Sequence, residues 1–179
     1  MSVVDSHLSS PSAWLMQYSH LIPPRGRVLD VASGAGRNAT WLARQGFRVT
    51  AVDRDAGALA ILANLAPDIE TQVCDLEQGG WPYSGKQFDA IVVCRYLHRP
   101  MLPELARSLV HGGVLIYETF MQGHEQYGRP KNPEFLLKNN ELADVFKLFL
   151  KIVAYEEGLL QLPPNPAILQ RIAAVRTTA

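Results

Sequence analysis

Three acids fall at the ends of short β-rich runs in the first half of this chain: Asp30 within RVLDV, Asp53 after RVTAV, and Asp75 just past a run that ends at Val73. Between the first two lies Asp30-Val-Ala-Ser-Gly-Ala-Gly-Arg-Asn38. Gly34 and Gly36 permit a tight turn and let a ligand approach the backbone. The helix expected after them offers N–H groups that have no intrahelical partner. Gly34-Ala-Gly-Arg-Asn-Ala39 matches the G-x-G-x-x-A dinucleotide fingerprint, and Asp53 follows Gly34 by 19 residues, near the spacing of an acid that binds a ribose. Alone, that match is ambiguous among nucleotide-like ligands.

Asp30 separates them. A carboxylate at the end of the first strand would face the pyrophosphate of a nicotinamide dinucleotide at short range, where like charges cost on the order of a kcal/mol or more. S-adenosylmethionine reverses the sign, because it carries a sulfonium and an α-ammonium and no phosphate. An acid at strand one, glycines for close approach and an acid at strand two form a consistent site for it. Asp75 is placed to accept from an adenine amine, with Leu76 to stack on the ring. After the fourth strand, Cys94-Arg-Tyr-Leu-His98 would lie beneath the sulfonium and beside the methyl acceptor. His98 is a candidate general base near neutral pH and Tyr96 a second candidate, with local hydrogen bonding as the competing role for His98. Further acceptor-side candidates are His124 and Tyr127, with Trp14 and Tyr18 as lid groups. Residues 121–133 (MQGHEQYGRPKNP) have the polar, glycine-bearing character of a mobile substrate cover, in which Arg129 and Lys131 could attract an anion.

The elements that must position these groups alternate. Residues 27–31 read as a strand, and an apolar helix follows the glycine turn, closed by Gly46. Residues 48–52 form the next strand. Asp55 then caps a helix with Leu59, Leu62, Ala63 and Ala66 on one face, ended by Pro67. Residues 69–73 make a third strand, and FDAIVV (88–93) is the near-continuous apolar run of a strand covered on both faces. Residues 100–110 carry Leu102, Leu105, Ala106 and Leu109 at helical spacing before Gly112-Gly113, which predicts a helix with a glycine stop. Residues 114–119 are the fifth strand. A helix capped by Asn140 is expected over 140–147, then β-rich runs at 149–155 and 168–176 with no helix between them, which should pair antiparallel. The pattern is α/β: a doubly wound Rossmann-like sandwich with one reversed strand, whose ligands sit at the carboxyl ends of the strands.

Composition sets the frame. The chain has 179 residues, 17 Lys+Arg and 17 Asp+Glu, with 47% hydrophobic residues, which suits one globular domain: an N-terminal helical or lid segment over 1–24 and a core over 25–179. Zero net charge argues against bulk attraction to nucleic acid or anionic lipid. No signal-peptide pattern or long apolar span is read, so a cytoplasmic, membrane-free protein with two reduced thiols, Cys74 and Cys94, is expected. No acidic cluster calls for a metal.

The run VLDVASGAGRNATWLARQGFRVTAVDRD resembles motif I and the ribose motif of class I S-adenosylmethionine-dependent methyltransferases. GRN before a helix, VCRYLHRP, and YETF with GRPKNPEFLL resemble more narrowly the small bacterial methyltransferases of the tellurite-resistance type. The resemblance implies a seven-stranded, mostly parallel sheet of order 3-2-1-4-5-7-6 with strand 7 antiparallel. It also implies that Asp30, Gly34 and Gly36 line the methionine end, Asp53 binds the ribose hydroxyls and Asp75 with Leu76 meets the adenine, with Ala32, Ser33, Arg37, Asn38, Arg54, Cys94 and Arg95 as further cofactor-binding residues. The acceptor is expected to be a small molecule attacking through a thiol, a chalcogen oxyanion or a hydroxyl. The alternatives are a protein that binds S-adenosylmethionine or its demethylated product without turnover, and a nicotinamide-dependent oxidoreductase. In place of the family's D-x-G-x-G-x-G, the chain has Ala32 where the first glycine belongs, and the extra methyl is expected to crowd the cofactor. The Asn/Asp-Pro-Pro-Tyr/Phe segment of amino-methylating enzymes is missing after the fourth strand, which argues against DNA-base or glutamine methylation.

Overall fold

The structure is a computed structural model that describes residues 10–162 and 165–177. The portion of the expected lid segment before residue 10 therefore lies outside the described residues. A short helix α1 (Ala13–Tyr18) starts on Ser12, whose hydroxyl accepts from the Leu15 N–H. Strand β1 (Arg27–Val31) leads through the glycine turn into α2 (Arg37–Arg44), whose N-cap Gly36 sits at φ 80°. A Cβ at Gly36 would lie 2.5 Å from the Leu62 side chain, so this glycine serves close helix packing as well as the turn. Strand β2 (Arg48–Asp53), helix α3 (Ala56–Leu65, capped by the Asp55 carboxylate) and strand β3 (Glu70–Val73) follow.

Strand β4 (Phe88–Cys94) is buried on both faces, as its composition predicts. The next helix, α4 (Leu102–Arg107), is shorter than its sequence pattern, and a 3₁₀ turn (Arg99–Met101) precedes it. Leu109, which completed the helical spacing, instead begins strand β5 (Leu109–Phe120) and pairs with Phe88. Gly112-Gly113 is thus not a helix stop but an irregular stretch inside β5. Gly112 donates to the Arg176 carbonyl, and a Cβ on Gly113 would lie 2.8 Å from the Val110 carbonyl oxygen. Helix α5 (Glu141–Phe146) starts at Asn140 as expected, but with Asn140 at φ 59° and no side-chain cap. Strands β6 (Lys151–Leu160) and β7 (Ala167–Val175) form the antiparallel hairpin. β6 is longer than its β-rich run because pairing with β7 carries it out to Leu160 opposite Ala167.

The sheet order is β3-β2-β1-β4-β5-β7-β6, with β7 antiparallel to both neighbours. One core packs α1, α2 and α3 on the face carrying Val28, Ala51, Val92 and Ile116. The other packs α4 and α5 on the face carrying Leu29, Ile91, Leu115 and Tyr117. Each fully buried Leu or Ile contributes roughly 1.5–3 kcal/mol relative to an exposed one. Alternate residues of one strand therefore serve opposite cores, and the polar residues that end these alternating rows are delivered to the carboxyl edge of the sheet. Among the described residues no helix is long and apolar enough to cross a membrane, and no group of three or more His, Cys, Asp or Glu could hold a metal ion.

Candidate active site

At that carboxyl edge lies a cavity of about 290 Å³. Its wall runs from Cys74, Asp75, Leu76 and Glu77 after β3, past Asp53 and Arg54 after β2 and Ala32 after β1. It continues to Arg95, Tyr96 and Leu97 after β4 and Thr119 and Phe120 of β5, with Pro130 and Phe135 of the following segment closing it. The expected ribose, adenine and sulfonium positions thus meet in one space. Asp53 holds two loops together: one carboxylate oxygen accepts from the Gly34 N–H at 2.7 Å and the other from the Asp55 N–H at 2.9 Å. Asp75 accepts from the Glu77 N–H and the Gln78 amide.

Two wall residues sit in the left-handed region without being glycine: Ala32 at φ 53° and Arg95 at φ 57°. For an L residue that conformation costs ~1 kcal/mol or more, and it persists where the surroundings enforce it. Ala32 therefore departs from the motif twice over, since its methyl lines the cavity and its backbone adopts the conformation that suits glycine. Gly34, at φ 54°, has open space where a Cβ would be.

Asp30 is buried beneath this surface, 1% exposed, and one carboxylate oxygen has no hydrogen-bond partner. Burial pushes its carboxyl up to about 7, against the opposing pull of the Ala39 N–H and the Arg37 guanidinium. A cation brought next to it would favour ionisation. The Ser33 hydroxyl is likewise buried without a partner. Arg37 and Asn38, expected to bind the cofactor, here anchor the N-terminal segment: Arg37 donates to the Ser10 carbonyl and the Asn38 side-chain Oδ1 accepts from the Ser12 N–H.

The structure separates the two base candidates. Tyr96 lines the cavity, and burial together with the charges of Glu77 and Asp75 pushes its phenol above the ordinary range, so it is a hydrogen-bond donor at neutral pH. His98 is half-buried at the head of the 3₁₀ turn and is not part of the cavity wall. His124 is occupied on both ring nitrogens, Nδ1 accepting from the Ile168 N–H and Nε2 facing the Arg129 carbonyl at 3.1 Å. Tyr127 is exposed and outside the wall. Cys94, half-buried beside Glu118, has its thiol pushed above the ordinary range by desolvation and is a protonated thiol rather than a nucleophile.

Sequence reasoning missed what holds the cover. Arg99 donates to both Glu141 carboxylate oxygens, at 2.6 and 3.0 Å, and to the carbonyls of Glu134 and Leu136. The Gln170 amide oxygen accepts from the Leu142 N–H, and its nitrogen donates to Lys138. Together with His124, these contacts pin the segment after β5 at several points, where the sequence suggested a mobile cover. The one local signal was Glu141, an acid in the first turn of a helix.

A family model described as "Methyltransferase domain" matches residues 28–113, which contain the glycine turn, both strand-end acids around it and β4. Over those residues the chain is similar to methyltransferase domains. S-adenosylmethionine is the cofactor of that family, and the order of the sheet is the one the family resemblance implies. Among curated relatives, a demethylmenaquinone methyltransferase from Renibacterium salmoninarum is 31% identical over 122 residues, 64% of this chain and 50% of that protein. The chain thus spans about half the length of that relative. Among solved structures, TehB from Haemophilus influenzae superposes with a TM-score of 0.76 at 21% identity, over 92% of this chain and 61% of that one. The glycopeptide N-methyltransferase MtfA, complexed with S-adenosyl-L-homocysteine, superposes with a TM-score of 0.66 at 14% identity over 94% of this chain and 90% of that one.

Proposed function

We propose that this chain transfers a methyl group from S-adenosylmethionine to a small-molecule acceptor. The observation that carries the reading is Asp30: a buried carboxylate with an unpartnered oxygen at the end of the first strand, complementary to a cationic ligand and repulsive to a pyrophosphate. The residues around it fit the cofactor. Asp53 supplies lone pairs for ribose hydroxyls, Asp75 and Leu76 supply a polar edge and an apolar face for adenine, and Gly34 leaves space for close approach. When bound, the cofactor supplies an electrophilic methyl on a sulfonium. The chain's own task is then to align a nucleophile in line with that carbon and to exclude water. Thiol, chalcogen oxyanion and hydroxyl acceptors are all kept, the chalcogen oxyanion on the sequence resemblance of VCRYLHRP and YETF alone.

Calorimetric titration with S-adenosylhomocysteine and with NAD tests the cofactor assignment. The thioether product binds and NAD does not; the reverse pattern overturns the reading. Replacing Asp53 by Ala weakens binding of the thioether product by ~1–3 kcal/mol through lost hydrogen bonds. Unchanged affinity places the ribose elsewhere.

A further inference from the structure

On the face of the sheet covered by α1, four side chains stand side by side at the carboxyl edge. Cys94 of β4 pairs in register with Glu118 of β5, Glu118 with Arg171 of β7, and Arg171 with Glu156 of β6. Asp30 ends the same face of β1, its register partner Val92 lying two residues before Cys94. Trp14 of α1 roofs the row, with the Arg171 guanidinium carbon 5.6 Å from its ring centre.

The middle of this row, Glu118 and Arg171, is buried but not satisfied, with Cys94 half-buried at one end, its thiol 3.7 Å from Glu118, and the Glu156 side chain 43% exposed at the other. The side chain of Arg171 is 9% exposed, yet its nitrogens approach Glu118 and Glu156 only to 3.5 and 3.6 Å, beyond a normal charged hydrogen bond. Arg171 Nε and Trp14 Nε1 are both buried N–H donors with no acceptor, and on the same face an oxygen of Asp30 has no donor. A structural ion pair would close up, since a buried guanidinium is costly unless its hydrogen bonds are made. What the row lacks is a small group that accepts from the two N–H donors and donates to a carboxylate. A protonated hydroxyl or thiol has that pattern.

Resting on the cofactor reading above, we propose that Glu118, Arg171 and Trp14 bind the methyl acceptor, that the acceptor is a neutral hydroxyl or thiol compound, and that Glu118 is its general base. The acceptor's oxygen or sulfur accepts from Arg171 and Trp14 and donates its proton to Glu118. As the nucleophile's lone pair forms the bond to the methyl carbon, the carbon–sulfur bond breaks with its electron pair left on sulfur, and the proton passes to a Glu118 oxygen. An unprotonated oxyanion is disfavoured because it has no proton to donate to Glu118 and is repelled by that carboxylate. Access requires residues 10–18 to open and close again over the acceptor, which breaks the Ser12–Asn38 and Arg37–Ser10 hydrogen bonds and lifts the buried Trp14 and Leu15 from the sheet before Trp14 returns.

The full chain saturated with S-adenosylhomocysteine is titrated with 4-nitrophenol, whose visible absorbance reports its protonation state, and then with sodium tellurite as competitor. The wild type takes up the phenol in its neutral form and tellurite does not displace it. Glu118→Gln and Arg171→Lys each weaken that uptake about tenfold and Trp14→Phe several-fold, while affinity for the thioether product stays within about twofold. With a phenol or thiol that turns over, Glu118→Gln removes the acidic limb of the pH–rate profile and Glu118→Asp restores it. Absence of phenol uptake by the wild type, displacement by tellurite, or uptake unchanged in Glu118→Gln and Arg171→Lys overturns the proposal. Loss of thioether binding by the wild type itself strikes instead at the cofactor reading.

Discussion

Two arginine–glutamate pairs join distant parts of this chain and are built differently. Arg99 reaches Glu141 with two hydrogen bonds and spends its remaining donors on the carbonyls of Glu134 and Leu136, while Glu141 also accepts from the Lys138 N–H. Arg171, more deeply buried, approaches Glu118 and Glu156 without a hydrogen bond to either and leaves Nε without a partner. The satisfied pair locks the segment after β5 as a fixed wall. The unsatisfied one lies beneath a short N-terminal helix and beside Asp30. Within one fold, the degree of satisfaction distinguishes a charge pair that holds structure from one with hydrogen-bonding capacity left for a ligand.

The largest expected effect is on pH dependence, where the two regions should respond with opposite signs. Asp30 is raised from 3.8 to about 7, so between these values the native state holds a proton that the unfolded state has lost. Stability of the ligand-free protein therefore falls as pH rises from about 4 to about 7, by on the order of 4 kcal/mol. Glu141 is lowered by Arg99 and the Lys138 N–H against its own desolvation, so its contribution is present at neutral pH and is lost on acidification. Urea denaturation across pH reads both, and Asp30→Asn flattens the first slope while leaving the second. A slope that persists in Asp30→Asn would assign it to another group.

Next in size, Arg99→Met leaves Glu141 partly buried without its partner and frees two carbonyls, a loss of ~2–3 kcal/mol after allowing for the partial exposure of the pair. Replacing both members of the other pair, Glu118→Leu with Arg171→Met, removes no hydrogen bond between them and should be neutral or stabilising by up to ~2 kcal/mol, with phenol uptake lost, whereas the matched double change Arg99→Met with Glu141→Leu also loses the bonds to the Glu134 and Leu136 carbonyls and from the Lys138 N–H. If both replacements destabilise equally, the contrast between the pairs fails. The smallest effect is Ala32→Gly. Relief of the left-handed backbone at Ala32 is offset by a more flexible unfolded chain, leaving under ~1 kcal/mol in thermal stability. Affinity for S-adenosylhomocysteine, read by calorimetry, rises a few-fold because a methyl leaves the cavity wall.

Much of the cavity wall was legible before folding. Asp53, Asp75, Leu76, Arg95 and Tyr96 each follow a strand closely, and parallel strands deliver their carboxyl ends to one edge whatever lies between them. The helix expected over 100–110 failed in part because apolar spacing reports which residues are buried, not which partner buries them; Leu109 is buried as a strand residue opposite Phe88. Arg99, Gln170, Glu118 and Arg171 were passed over for a related reason. Their partners are 42, 28 or 32, 53 and 53 residues away or close to it in sequence, and periodicity carries no information about pairing at that range.

The amino-acid sequence by itself determined the alternation of strands and helices, the reversed final strand and the acids at successive strand ends. Those depend on local propensity, on the period of apolar residues and on glycine's freedom at Gly34 and Gly36. Only the tertiary structure decided that Ala32 adopts a left-handed backbone, that the cover is pinned by Arg99, and that Glu118 and Arg171 meet unsatisfied beneath Trp14. Those outcomes depend on which strand pairs with which and at what register, and on how far a buried charge is hydrogen-bonded once the distant chain has closed around it.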